Sequence, residues 1–235
     1  MNLLLFSDAD RLEDNRIRIA DLRLQHLQEV IDANEGDSFR VGEINGRMGS
    51  GELVRFNRDE AVLEVALDTE PPPKLPLVLV LALPRPKMLR RILRMVAELG
   101  VDELHIINSY RVEKSYWQTP VLDPAVVEDY FLQGLSQSRD TVLPAWQRHR
   151  GFKPFVEDIF PGMVEGKRAL LAHPGDYPPC PGGGEPTVLV TGPEGGFIPY
   201  EVEKLQEAGC ETVSLGPRIL RVENAVSALV SKMSI

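Results

Sequence analysis

Val188-Leu189-Val190-Thr191-Gly192-Pro193-Glu194-Gly195-Gly196-Phe197 is the stretch on which the reading of this chain turns. A continuous apolar run breaks into a glycine-rich turn, the pattern of a fully buried strand that delivers a loop at its carboxyl end. Tyr200–Ala208 then reads as a helix and Thr212–Leu215 as a short strand. A second break follows at Gly216-Pro217-Arg218-Ile219-Leu220-Arg221-Val222-Glu223-Asn224-Ala225. In an open α/β sheet, ligands settle where strand ends meet such loops. The bare backbone of Gly192, Gly195 and Gly196 allows close approach of a ligand and unusual φ angles.

Upstream, strand and helix patterns alternate. Leu77–Ala82 is an apolar strand, Pro86–Leu99 a helix stopped by Gly100, and His105–Asn108 a second strand. Pro124–Ser138 reads as a helix and Arg168–Ala172 as another buried strand, before a Pro- and Gly-rich loop over Pro174–Pro186. The alternation predicts an α/β fold with a parallel sheet covered on both faces. On the helix from Pro86, Met88, Leu89, Ile92, Met95, Val96 and Leu99 form an apolar stripe, while Lys87, Arg90, Arg91 and Arg94 fall on the opposite arc. That arc is either a solvated face or a ridge that contacts RNA phosphates.

The first seventy residues read differently. Asp21–Asn34 has helical periodicity, and Ser38–Ile44, Gly51–Phe56 and Ala61–Leu67 are short strands. Asn45-Gly46 marks a turn, with Met48-Gly49-Ser50-Gly51 suggesting a longer loop behind it. These strands predict a small β-barrel over residues 1–70. The proline-rich segment 71–76 acts as a linker, and 77–235 forms the second domain. Charge follows the same division: of the net −9, residues 1–70 carry −8, with 8 Lys and Arg against 16 Asp and Glu. An acidic chain is a poor default binder of nucleic acid, which gives the cationic arc its interest.

At 43% hydrophobic content the chain can bury one large core or two modest ones. Its start has no basic stretch leading into an apolar signal core, and its longest apolar run, Leu75–Leu83, is about half of a membrane span. The expectation is a cytoplasmic protein. Cys180 and Cys210 lack metal or redox spacing and read as unpaired thiols, and His26, His105, His149 and His173 show no ligand spacing either, so no metal is expected.

The chemistry of the two turns is open on spacing alone. The Gly192–Gly196 turn has neither the Lys-Ser/Thr ending of a P-loop nor the dinucleotide fingerprint. Arg218, Arg221 and Glu223 behind a buried strand suit recognition of an anionic or polar substrate; the alternative is that the arginines cap a helix and ion-pair with Glu223.

Gly192-Pro193-Glu194-Gly195-Gly196-Phe197 followed by Leu215-Gly216, Arg218-Ile219-Leu220-Arg221, Glu223 and Ala225 resembles the signature pair of the 16S ribosomal RNA uridine-N3 methyltransferases, a family of the SPOUT superfamily. Glu98-Leu99-Gly100-Val101 also matches that family, and His26-Leu27 with Gly36-Asp37 is similar to its N-terminal PUA-like barrel. The resemblance implies a trefoil-knotted C-terminal domain that binds S-adenosylmethionine. Its knot loops would be Leu171-Ala172-His173, Gly192-Pro193-Glu194-Gly195-Gly196 and Leu215–Leu220, with Leu215, Gly216, Ile219 and Leu220 cradling adenine through backbone. It further implies a homodimer acting on 16S ribosomal RNA or the small ribosomal subunit, without metal.

Within that resemblance, Arg221 is the expected stabiliser of charge on the target base, Arg218 its second candidate, and Glu223 an orienting group or base. Asn224, where the family usually has Thr, is expected to cap the last helix. Two other readings stay open at this point: a small-molecule enzyme that holds phosphate on the glycine turn, and a non-catalytic ribosome-associated protein that keeps the fold.

Overall fold

The computed structural model describes residues 2–13 and 15–234. The chain folds as two compact units. One comprises the chain up to Pro72 together with Leu132–Leu143, and the other Pro73–Phe131 with the chain from Pro144 onward.

In the first unit, β1 (Leu4–Phe6), β2 (Arg16–Ile19), β3 (Ser38–Glu43), β4 (Met48–Phe56) and β5 (Ala61–Thr69) form a five-stranded sheet in the order β1-β3-β4-β5-β2. β1 runs parallel to β3 and the remaining pairs are antiparallel. Phe6, Ile17, Ile19, Leu53 and Leu63 fill its core together with Leu24 and Leu27 of α1 (Leu22–Glu29). Asp21 caps α1 by accepting the Arg23 N–H, but the helix stops at Glu29, short of the expected Asn34, and Asp32 turns the chain at φ 55°.

The expected long loop at Met48–Gly51 is instead the start of β4, with Met48 already paired to Gly42. A Cβ at Gly49 would lie 1.8 Å from the Ala66 carbonyl oxygen, so this glycine marks the close approach of β4 to β5 rather than a flexible turn. Leu132–Leu143 joins this unit through specific bonds. Ser136 Oγ donates to the Leu3 carbonyl at 2.6 Å, Asn2 Nδ2 to the Gln137 carbonyl at 2.9 Å, and the Asn45 N–H to the Thr141 carbonyl at 2.8 Å.

The second unit is an α/β layer. β6 (Leu75–Ala82), β7 (Val101–Ile107), β8 (Ala145–His149), β9 (Arg168–Ala172), β10 (Thr187–Thr191) and β11 (Glu211–Val213) form one sheet in the order β11-β9-β10-β6-β7-β8. Every pair in it is parallel. β6 begins at Leu75, whose N–H bonds to the Gly100 carbonyl, and the register shift before Val78 absorbs Pro76. From β6 the chain builds outward through β7 and β8, then returns to the other side for β9, β10 and β11. The order therefore reverses between β6 and β10, where doubly wound sheets open a crevice at the strands' carboxyl ends.

The helices are α2 (Pro86–Glu98), α3 (Pro124–Ser138), α4 (Phe152–Pro154) and α5 (Phe160–Val164) joined by a π turn over Phe155–Ile159, α6 (Pro199–Glu207) and α7 (Val222–Met233). α2 buries Leu89, Ile92, Leu93, Val96 and Ala97, while Met88 and Met95 sit at the margin of the stripe. Arg221 is the N-cap of α7, so Asn224 lies inside its first turn, exposed, and does not cap the helix as expected. Cys180 and Cys210 are both buried free thiols, and burial pushes Cys210 up to about 12. Among the described residues no helix is long and apolar enough to cross a membrane.

Candidate active site

Three neighbouring strands release their loops at one end of the sheet. β9 passes into His173, β10 into the glycine turn, and β11 into Leu215 and Gly216. His173 ties two of them together, because its N–H donates to the Val213 carbonyl at 3.0 Å while its ring faces the glycine turn. A Cβ placed on Gly196 would lie 3.8 Å from His173 Cε1. Gly196 itself takes φ 70° and donates its N–H to the Pro193 carbonyl at 2.8 Å, a conformation that side chains rarely adopt.

A cavity of about 70 Å³ opens beside this junction, walled by Ala172, His173, Leu215, Gly216, Ile219 and Leu220. Leu215, Gly216, Arg218 and Ile219 also line a wider cleft of about 860 Å³ that reaches Tyr177 and Cys180. Leu171 is wholly buried within β9 and supports this wall from behind. Two hydroxyls at the same end of the sheet, Thr191 Oγ1 on β10 and Ser109 Oγ just beyond β7, are buried with no hydrogen-bond partner among the described residues.

The glycine turn is braced by the protein's own groups. Glu194 is exposed, yet its Oε1 accepts the Arg85 N–H at 2.9 Å, which ties the turn after β10 to the loop after β6. The Arg111 guanidinium donates to the Gly195 carbonyl, and a Cβ on Gly195 would come 2.9 Å from Arg111 Cδ. A Cβ on Gly192 would crowd Phe197 and the Gly196 backbone at 3.2–3.3 Å. Gly192 and Gly195 are thus bare to admit neighbouring protein. Burial, and secondarily the nearby Arg111 charge, hold His173 below the ordinary imidazole range.

Of the expected catalytic residues, Arg218 is exposed and lines both the small cavity and the cleft. Arg221 is exposed at the start of α7, outside the lining of either. Glu223 is only 7% exposed, and the cation that faces it is neither of these but Arg91 of α2, at 3.8 Å. The α2 arc is accordingly not uniform. Lys87 and Arg90 are exposed, Arg91 leans toward Glu223, and Arg94 is half-buried with its guanidinium 4.5 Å from the Tyr130 ring centroid. Among the described residues no three His, Cys, Asp or Glu side chains group as metal ligands.

Arg111 was not anticipated from sequence. The signal was available: it follows the carboxyl end of β7 as Arg218 follows that of β11. β6 lies between β7 and β10 in the sheet, and it is the Arg111–Gly195 bond that shows the β7 loop reaching the β10 turn.

Residues 71–234 match the protein family described as RNA methyltransferase domain. The chain is 28% identical to ribosomal RNA small subunit methyltransferase E of Treponema pallidum (strain Nichols), covering 97% of this chain and 88% of that protein. It is 26% identical to the protein of the same name from Mesomycoplasma hyopneumoniae (strain 232), over 94% of each. Among solved structures, it is similar to ribosomal RNA small subunit methyltransferase E from Neisseria gonorrhoeae bound to S-adenosyl methionine. That likeness has a TM-score of 0.77 at 21% identity, over 99% of this chain and 97% of the other. A Legionella pneumophila methyltransferase solved with bound cofactor SAM gives 0.78 at 18% identity, over 99% and 96%.

Proposed function

The chain belongs to the family of RNA methyltransferase domains, and from that premise we propose that it transfers a methyl group from S-adenosylmethionine to N3 of a uridine in 16S ribosomal RNA. The observation that carries this reading is the meeting of three loops on His173, after β9, β10 and β11, beside a small, largely apolar cavity.

The residues present suit the donor. Leu215, Gly216, Ile219 and Leu220, with Ala172, offer walls to an adenine. When bound, the donor supplies an electrophilic sulfonium methyl; the remaining work falls to the chain. Uracil N3 must lose its proton, and negative charge then spreads to the ring oxygens, where a preorganised cation is most effective. Arg221 takes that role in this reading, with Arg218, already at the cavity wall, as the second cation. Glu223, which faces Arg91 at 3.8 Å, is an orienting group or accepts the N3 proton in this reading.

The same reading assigns the first unit to a PUA-like RNA-binding barrel, with proposed bounds of 1–70, 71–76 and 77–235, of which the linker gives its last two residues to β6 and the first unit also takes in Leu132–Leu143. It makes the second a trefoil-knotted SPOUT domain that acts as a homodimer. Support for the knot comes from segment 174–186, which passes hard against α7: the Gly183 N–H bonds to the Lys232 carbonyl at 2.9 Å, and a Cβ there would lie 2.0 Å from the Met233 carbonyl oxygen. Support for RNA docking comes from Lys87 and Arg90, exposed on α2.

The test is transfer of labelled methyl groups from S-adenosylmethionine to purified small ribosomal subunits, followed by nucleoside identification. N3-methyluridine in the 16S RNA is expected. A labelled product at another atom would overturn the assignment of the reaction.

A further inference from the structure

Glu201, on the first turn of α6, is 2% exposed although it is a carboxylate. Its two oxygens serve different loops. Oε2 accepts the Ile198 N–H at 3.0 Å, which is the ordinary duty of a third-position glutamate at a helix start. Oε1 reaches across to the Tyr110 N–H at 2.7 Å, in the loop beyond β7. A cap alone requires one oxygen and no burial, so the second bond calls for another explanation. It fixes the backbone next to Arg111, and Arg111 in turn lies along Gly195 and donates to its carbonyl. The chain of contacts therefore runs from Glu201 through Tyr110 and Arg111 to the turn that faces His173.

We infer that Glu201 and Arg111 are positioning residues of the donor site: the buried carboxylate sets the β7 loop, and the guanidinium holds the Gly195–Gly196 peptide in its binding shape. This rests on the reading of the site given above. A turn that includes a positive-φ glycine has several conformations open to it when unliganded, and a fixed external donor removes that freedom before the ligand arrives. Arg111 can do this because its planar fork commits one N–H to the carbonyl while its alkyl stem fills the space that a Gly195 side chain would occupy.

The test is calorimetric binding of S-adenosylmethionine to the full chain and to Arg111→Met, Glu201→Gln and the double variant. Loss of one charge-assisted bond corresponds to about tenfold or more in affinity. Each single variant should weaken donor binding by that order. The double variant should be no weaker than Arg111→Met alone, because Glu201 acts through Arg111. Steady-state assays should show the loss in KM for the donor, with KM for RNA unmoved. Arg111→Lys should recover part of the affinity. Wild-type affinity in Arg111→Met, or losses that multiply in the double variant, would overturn the inference. Should Glu201→Gln not fold, Arg111→Met alone decides, since its side chain is exposed. Absence of donor binding by the wild-type chain would instead sink the reading of the site itself.

Discussion

At the scale of single residues, the account rests on which charged groups can act on a target base. Arg221 is exposed at the N-cap of α7 and pairs with no acid among the described residues. If it stabilises charge on the uracil oxygens, Arg221→Lys retains a cation but loses the planar fork. Its single-turnover methylation rate should fall on the order of a hundredfold, comparable to losing one preorganised donor. Donor affinity, measured by calorimetry, should change much less, because in the proposed site the adenine rests on backbone. Glu223→Gln separates the two roles left to that carboxylate. If Glu223 is a base, the variant's rate recovers as pH rises; if it orients Arg91, the deficit is the same at every pH. The residue types of this trio were legible in the sequence, and its pairing was not. Glu223 stands two positions from Arg221, but on a helix such neighbours point apart. Its partner, Arg91, comes from an element more than a hundred positions away.

At the scale of elements, α2 and the β7–β8 edge carry the next expectations. Helix periodicity correctly separated the apolar stripe of α2 from its cations, but it could not tell which cations were already engaged. Arg91 and Arg94 have contacts within the second unit, which leaves Lys87 and Arg90 as the informative pair. Replacing both with Gln should weaken RNA binding and reduce the slope of log affinity against log salt by about one unit per lost phosphate contact. An unchanged slope would return the arc to solvated surface.

On β7 and β8, His105 is 3% exposed; its Nδ1 lies 2.9 Å from His149 Nε2 and its Nε2 2.7 Å from Glu103. Burial lowers both histidines, and for His149 the neighbouring His105 adds to the effect. The folded state therefore favours neutral rings, so their contribution to stability is complete above the unfolded value of about 6.5 and is lost as pH falls toward the lower folded values. Urea unfolding midpoints should be level from neutral pH upward and decline below about pH 6.5. Imidazole NMR should show both rings titrating below that value. A midpoint that rises on acidification would contradict the neutral pair. The strand β8 escaped sequence reading because Ala-Trp-Gln-Arg-His lies at the sheet edge, mostly facing solvent, and has no apolar run to announce it.

At the scale of the whole molecule, what could be read in advance was what depends on local chemistry. β9 and α3 fall at their expected bounds, and β10 brackets Val188–Val190, because buried parallel strands are written as continuous apolar runs. Sheet order could not be read, since it depends on which of several similar strands become neighbours. The insertion of β9 between β10 and β11 is what gathers the three loops. Nor could the sequence show that Gly49 lies within a strand, because close strand approach and flexible turns both select glycine. Membership in the RNA methyltransferase domain family makes methyl transfer to RNA the central claim. The most direct test compares 16S ribosomal RNA nucleosides by mass spectrometry in cells with the gene, without it, and with it restored. The account predicts that N3-methyluridine disappears without the gene and returns with the wild-type chain. An undiminished level of N3-methyluridine in 16S RNA from cells lacking the gene would contradict it.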